Sequence, residues 1–215
     1  MTDRPLPPLH AVTDDDVVAR AEFERIAGEV LVAGGAGVAL HLRAPHTSGR
    51  RMHEVAVRLA KTARDAGSLL IVNDRVDVAL AAGAGGVQLG RRGIRVEDAR
   101  RLVGDALRIG ASVHTIGEAR EAVEAGADWL LAGPVFATAS HPGEPGAGTG
   151  LIERIAVLGR PVIGIGGVTA ERVAEMCAAG AAGVAAIRGI WNQPSPARAA
   201  RAYIEAWQSC RSPRR

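Results

Sequence analysis

The chain has 215 residues, 47% of them hydrophobic and 23% charged, with a net charge of +3. That balance excludes a disordered or fibrous polymer and leaves one sizeable hydrophobic core. The basic side is almost all arginine, scattered along the chain with Lys61 as the only lysine, and aromatics make up 3%. With neither a clustered basic face nor a stacking platform, the sequence predicts no nucleic-acid partner. No apolar run reaches the length of a membrane span, and Met1–Pro8 lacks the apolar stretch of a signal peptide, so no membrane association and a cytoplasmic location are expected. Cys177 and Cys210 lie far apart without metal-like spacing, and neither a disulfide framework nor a zinc site is expected.

In chain order, short apolar runs alternate with longer Ala/Arg/Glu-rich segments. Strands are predicted at Leu9–Asp14, Val38–Arg43, Leu69–Asn73, Gly86–Leu89, Ile109–His114, Trp129–Gly133, Pro161–Gly166 and Gly183–Ile187. The runs are mostly continuous rather than alternating, as in parallel strands covered on their outer face. Between them, Val55, Leu59 and Ala63 form a helical stripe, as do Ala119, Ala122 and Val123, and Val173, Met176 and Cys177. Thr169, and Ser195 before Pro196, mark helix starts, and Gly67, Gly126 and Gly180 mark helix ends. Eight strand–helix units in one register predict a single (β/α)₈ TIM barrel over residues 1–215, with residues 1–8 and 211–215 as flexible tails.

In such a barrel the loops after the strands build the site. The polar residues there are Thr13 and Asp14, His41 and Arg43, Asn73 and Asp74, Ser112 and His114, Thr138 and His141, Gly166 and Gly167, and Arg188. The run Ile163–Gly167 (IGIGG) ends the seventh strand and Ala185–Ile190 (AAIRGI) ends the eighth. Glycines there let the backbone approach an anion, and a phosphate is expected at this pair of loops. The long loop Ala137–Gly150 is read as a lid. Asn73 is suited to a ligand's amide or ring nitrogen. Asp74 is open between a metal or proton acceptor and a plain helix cap. His41, His114 and His141 are candidates for acid–base work, whereas His10, His46 and His53 read as structural or exposed. Lys61 falls mid-helix, which excludes an imine-forming lysine at a strand end.

The segments LHAVTDDD, LLIVNDRVDVALAAGAGGVQLG, IGASVHTIGEA, GADWLLAGPVFATAS and PVIGIGGVTAERVAEMCAAGAAGVAAIRGI together resemble the thiamine-phosphate synthase/TenI superfamily from about Leu9 to Tyr203. The resemblance implies a barrel that binds a small thiazole phosphate, cradled at Gly166, Gly167, Ile187 and Arg188. Two activities share this scaffold. The synthase joins a pyrimidine pyrophosphate to the thiazole phosphate with magnesium. Its Gln-x-Arg-x-Lys pattern falls on His41-Leu42-Arg43-Ala44-Pro45, its second magnesium aspartate on Gly93, and a loop lysine on His141. Asn73, Asp74, Ser112 and Thr138 are retained. The TenI branch, the thiazole tautomerases, shares His-x-Arg after the second strand and lacks the second aspartate, although its histidine after the sixth strand falls on Pro134.

The leading expectation is therefore a metal-free thiazole tautomerase. His41 or His141 would shuttle the proton, and Arg43, Asn73, Asp74, Ser112, His114 and Thr138 would hold the substrate. A thiamine-phosphate synthase using magnesium at Asp74 is the alternative, and a non-catalytic phosphate-binding regulator the third reading. The sequence leaves a homodimer open.

Overall fold

The computed structural model describes residues 5–138, 143 and 145–211. Eight parallel strands close in sequential order: β1 (Leu9–Val12), β2 (Val38–Leu42), β3 (Leu69–Asn73), β4 (Gly86–Leu89), β5 (Arg108–Val113), β6 (Trp129–Ala132), β7 (Val162–Ile165) and β8 (Gly183–Ala186). β8 pairs back onto β1, Leu9 opposite Val184, so the sheet has no edge. Around it run α1 (Asp15–Val18), α2 (Phe23–Gly34), α3 (Gly49–Ala66), α4 (Val76–Ala82), α5 (Val96–Val103), α6 (Ile116–Glu124), α7 (Gly150–Ala156), α8 (Val173–Ala178), α9 (Arg188–Trp191) and α10 (Pro196–Arg211). The (β/α)₈ barrel expected from the alternation of apolar runs is the observed fold.

Local chemistry sets the boundaries. Ser48 accepts the Arg51 N–H at the start of α3, and Thr115 accepts the Glu118 N–H at the start of α6. Gly67 closes α3 in the left-handed conformation, φ 69°.

Period-2 alternation divides each strand into two sets. One set (Leu40, Leu42, Leu70, Val72, Ile109 and their neighbours) packs outward against the helices in a single continuous core. The other set (Val12, Ala39, Ile71, Trp129, Leu131, Ile163 and Ala185) fills the barrel interior. Trp129 is the largest wholly buried side chain and plugs that interior. A Cβ at Gly110 would fall within 2.1 Å of its indole, so β5 carries no side chain where the ring lies.

One expectation about the scaffold fails. Cys177 on α8 and Cys210 on α10 are joined as a disulfide, with Cα atoms 6.5 Å apart. Their separation of 33 residues hides the fact that the last helix returns beside the one after β7. No described helix is long and apolar enough to cross a membrane.

Candidate active site

A cavity of about 720 Å³ opens at the C-terminal end of the strands. Its wall includes Arg43, Asn73, Ser112, His114, Thr138, Gly166, Gly167, Ile187 and Arg188, which are the substrate- and phosphate-site candidates named from the sequence apart from Asp74. Interior positions of the strands form its floor, with Val12, Leu131, Ile165 and Ala185 above the Trp129 plug.

Several of the wall residues are fastened by partners. The Thr13 hydroxyl donates to the Arg43 carbonyl at 2.9 Å and accepts the Arg43 N–H at 2.9 Å, fastening the end of β2 to the end of β1. The Trp129 indole donates to Gln88 Oε1 at 2.8 Å, and because an indole N–H is donor-only this fixes the Gln88 amide. Gln88 Nε2 then donates to Ser112 Oγ at 3.0 Å. The Ser112 oxygen thus serves as acceptor below, leaving its proton for an acceptor in the cavity. His114 Nδ1 lies 2.5 Å from the Gly133 carbonyl, which only accepts, so the Nδ1 N–H donates to it. Asn73 is buried, and its Oδ1 has no hydrogen-bond partner within the described chain.

The two glycines after β7 explain their own identity. Gly166 (φ 98°) and Gly167 (φ 63°) are both left-handed, and a Cβ on either would meet the segment after β6, Pro134 Cα at 2.7 Å and the Ala137 carbonyl at 2.5 Å respectively. The loop is thereby pressed flat against its neighbour with backbone exposed to the cavity.

The proposed catalytic histidines fare differently. His41 does not reach the cavity. Positions 39, 41 and 43 all point inward, but only Arg43 is high enough to meet a ligand, and His41 is fully buried one layer below. There its Nε2 lies 2.7 Å from His10 Nδ1. Burial pushes the His41 imidazole down to about 3, with Asn73 nearby opposing the shift weakly. Burial, reinforced by His41, also holds His10 well below its ordinary value. A neutral, water-excluded pair cannot exchange protons with a ligand in the cavity, so the catalytic assignment of His41 is withdrawn. His141 lies outside the described residues, as does part of the loop Ala137–Gly150; its later residues return alongside the segment after β6, Ala147 N–H donating to the Pro134 carbonyl at 2.9 Å.

Asp74 is exposed and outside the cavity wall, at its rim. It does not cap α4, whose capping position is Arg75, with no side-chain capping bond. Instead Asp74 Oδ1 accepts the Gly90 N–H at 2.8 Å, tying the loop after β3 to the loop after β4. It is the one non-glycine among the described residues with positive φ, 61°. Strained backbone of this kind persists where the surroundings over-determine it, often at functional sites.

Comparison with known proteins agrees with this geometry. A family model described as thiamine monophosphate synthase matches residues 9–190. A thiamine-phosphate synthase from Methanoculleus marisnigri is 41% identical over 195 residues, 90% of this chain and 92% of that protein. The bifunctional thiamine biosynthesis protein ThiM/ThiE of Symbiobacterium thermophilum is 48% identical over 155 residues, 71% of this chain and 32% of that larger protein. The chain thus matches about a third of that protein's length. A solved structure described as thiamine phosphate pyrophosphorylase from Pyrococcus furiosus superposes with a TM-score of 0.85 at 30% identity, covering 98% of this chain and all of that one. These names overturn the tautomerase expectation and favour the synthase that stood as its alternative. Among the signals that pointed to the tautomerase, the histidine of His41-x-Arg43 and the missing aspartate at Gly93 concern one buried residue and one absent side chain. The chain belongs to the thiamine monophosphate synthase family.

Proposed function

We propose that the protein is a thiamine-phosphate synthase, joining a pyrimidine methyl pyrophosphate to a thiazole phosphate with release of pyrophosphate. The observation that carries this reading is the near full-length match to relatives bearing that name, combined with a cavity able to take two anions. Arg43 at the end of β2 and Arg188 at the end of β8 place cationic groups on separate parts of its wall.

In the reaction the thiazole ring nitrogen forms a bond to the pyrimidine methylene carbon as the carbon–oxygen bond to pyrophosphate breaks. No proton has to leave carbon, so the site needs no strong base. The buried His10–His41 pair is compatible with that chemistry. What the site needs is anchorage for a phosphate, orientation of the pyrimidine, and positive charge where the pyrophosphate departs. The glycine loop after β7 and the backbone at Ile187–Arg188 receive the thiazole phosphate. Asn73 Oδ1 accepts from an exocyclic amino group of the pyrimidine, which would satisfy a buried oxygen that otherwise lacks a partner. The Ser112 hydroxyl donates to a ring nitrogen. Arg43 draws the leaving pyrophosphate.

Magnesium fits this rim as an ion held largely by its substrate. Asp74 offers one carboxylate, Gly93 offers none, and the described residues contain no cluster of three ligating side chains. Magnesium commonly binds through one or two carboxylates plus substrate phosphates. When bound it neutralises charge on the departing pyrophosphate.

The test is direct. Purified protein, both phosphorylated substrates and magnesium should yield thiamine phosphate and pyrophosphate in equal amounts. Folded protein that binds thiazole phosphate without turnover would overturn the synthase reading.

A further inference from the structure

We propose that Tyr203, a residue of the last helix, is the positioning residue that holds the two halves of the phosphate cradle together; the proposal rests on the phosphate site described above. Tyr203 is buried within α10 at 3% exposure, and its hydroxyl donates to the Val168 carbonyl at 2.9 Å. Val168 directly follows Gly166-Gly167, so the bond fixes the backbone of the loop after β7. The same oxygen lies against the other half. A Cβ at Gly189, on the first turn of α9 after β8, would fall 2.3 Å from the Tyr203 hydroxyl and 3.4 Å from the ring carbon that bears it. Val168 and Gly189 both line the cavity. One hydroxyl therefore sets the height of one loop by a hydrogen bond and the closeness of the other by contact.

The surroundings keep that hydroxyl in place and protonated. Burial, aided by the charge of Glu171, pushes the phenol up to about 12, so it remains a donor throughout the physiological range. α10 packs on α2, α8 and α9, so the ring cannot swing away without unseating the helix. The adjoining loop is braced separately, since the Arg172 guanidinium stacks over Phe136, 4.2 Å from its ring centre. Phe136 N–H in turn donates to the Gly166 carbonyl at 2.9 Å.

Three variants test the idea: Tyr203→Phe, Gly189→Ala and the two together. Tyr203→Phe leaves the Val168 carbonyl buried without its donor, and we expect KM and Kd for thiazole phosphate to rise about tenfold. KM for the pyrimidine pyrophosphate and kcat should stay within about twofold, because only the cradle is loosened. Gly189→Ala should weaken thiazole phosphate binding at least as much. In the double variant the alanine meets a ring edge rather than an oxygen, so the second substitution should add less than it does alone. A purely structural tyrosine would lower the melting temperature in Tyr203→Phe while leaving the Kd unchanged, and either that result or strict additivity overturns the proposal. Calorimetric binding of thiazole phosphate separates the layers. Wild-type binding without turnover removes the synthase reading alone, whereas absence of saturable wild-type binding removes the cradle and this proposal with it.

Discussion

Asp74 and Gly93 face each other across the loops after β3 and β4: a Cβ built on Gly93 would lie 3.0 Å from Asp74 Oδ1. Gly93 is not among the glycines held at positive φ, so its backbone admits a side chain. Gly93→Asp should therefore set a second carboxylate beside the first. Two facing carboxylates repel until a cation bridges them. We expect the variant to be less stable than wild type without magnesium, to gain more melting temperature on magnesium addition, and to reach half-maximal turnover at about tenfold lower magnesium. Asp74→Asn keeps a residue that tolerates the left-handed backbone, so it should remain folded while kcat falls about 100-fold. Magnesium titrations of melting temperature and steady-state rate check both.

Arg43→Gln should damage the reaction more than the fold. The guanidinium is only partly buried, and the Thr13 bonds involve its backbone rather than its side chain. A melting temperature within a few degrees of wild type is expected, with kcat/KM for the pyrophosphate substrate reduced by about two orders of magnitude, the usual scale for one charge-stabilising group. Equal losses for both substrates would place the arginine elsewhere in the reaction.

The buried imidazoles predict acid sensitivity. With its folded value near 3 against an ordinary 6.5, His41 binds fewer protons folded than unfolded in that window. Its contribution is complete above pH 6.5 and is lost as pH falls from there towards 3. The slope is about 1.4 kcal/mol per pH unit for each such group. Urea unfolding at pH 7 and pH 5 should give a drop that shrinks by about 2 kcal/mol in His41→Gln. The pH profile of kcat, by contrast, should keep its shape in that variant, because the ring does not touch the cavity.

Reduction of the Cys177–Cys210 bridge, or Cys210→Ser, should lower unfolding stability by about 3–4 kcal/mol, the chain-entropy scale for a loop of 33 residues. Turnover at room temperature should persist, since Ala200, Tyr203 and Trp207 still bury the face of α10. Denaturant titrations with and without reductant measure the difference.

Much of this was legible in the chain because its cues are local. A run such as Leu69–Asn73 is a buried strand by composition, and the structure shows the same bounds. Gly67 ends a helix because it can turn left-handed there. Arg43, Asn73 and Ser112 were placed at the mouth because each sits at the end of a strand. The same reasoning misplaced His41, because strand position alone does not say which layer of a closed barrel a side chain occupies. Its neighbour in space, His10, comes from β1, and only the stagger of the closed sheet brings the two together. The disulfide and the contact of Tyr203 with Gly189 were hidden for a related reason, as both depend on where the last helix lands. Asp74 was recognised as a rim group, but its partner is a glycine, and an absent side chain leaves no signal of what it faces.

The Trp129 indole has a kinetic consequence. It blocks the barrel from below, so among the described residues the cavity has a floor and opens at the C-terminal end of the strands. Both reactants of the proposed synthase would arrive through the same doorway. A molecule seated on Val12, Leu131 and Ala185 is covered by whatever binds above it. For the synthase proposed above, steric order would impose temporal order: the reactant seated deeper would enter first, and a pyrophosphate released nearer the rim would depart before the joined product.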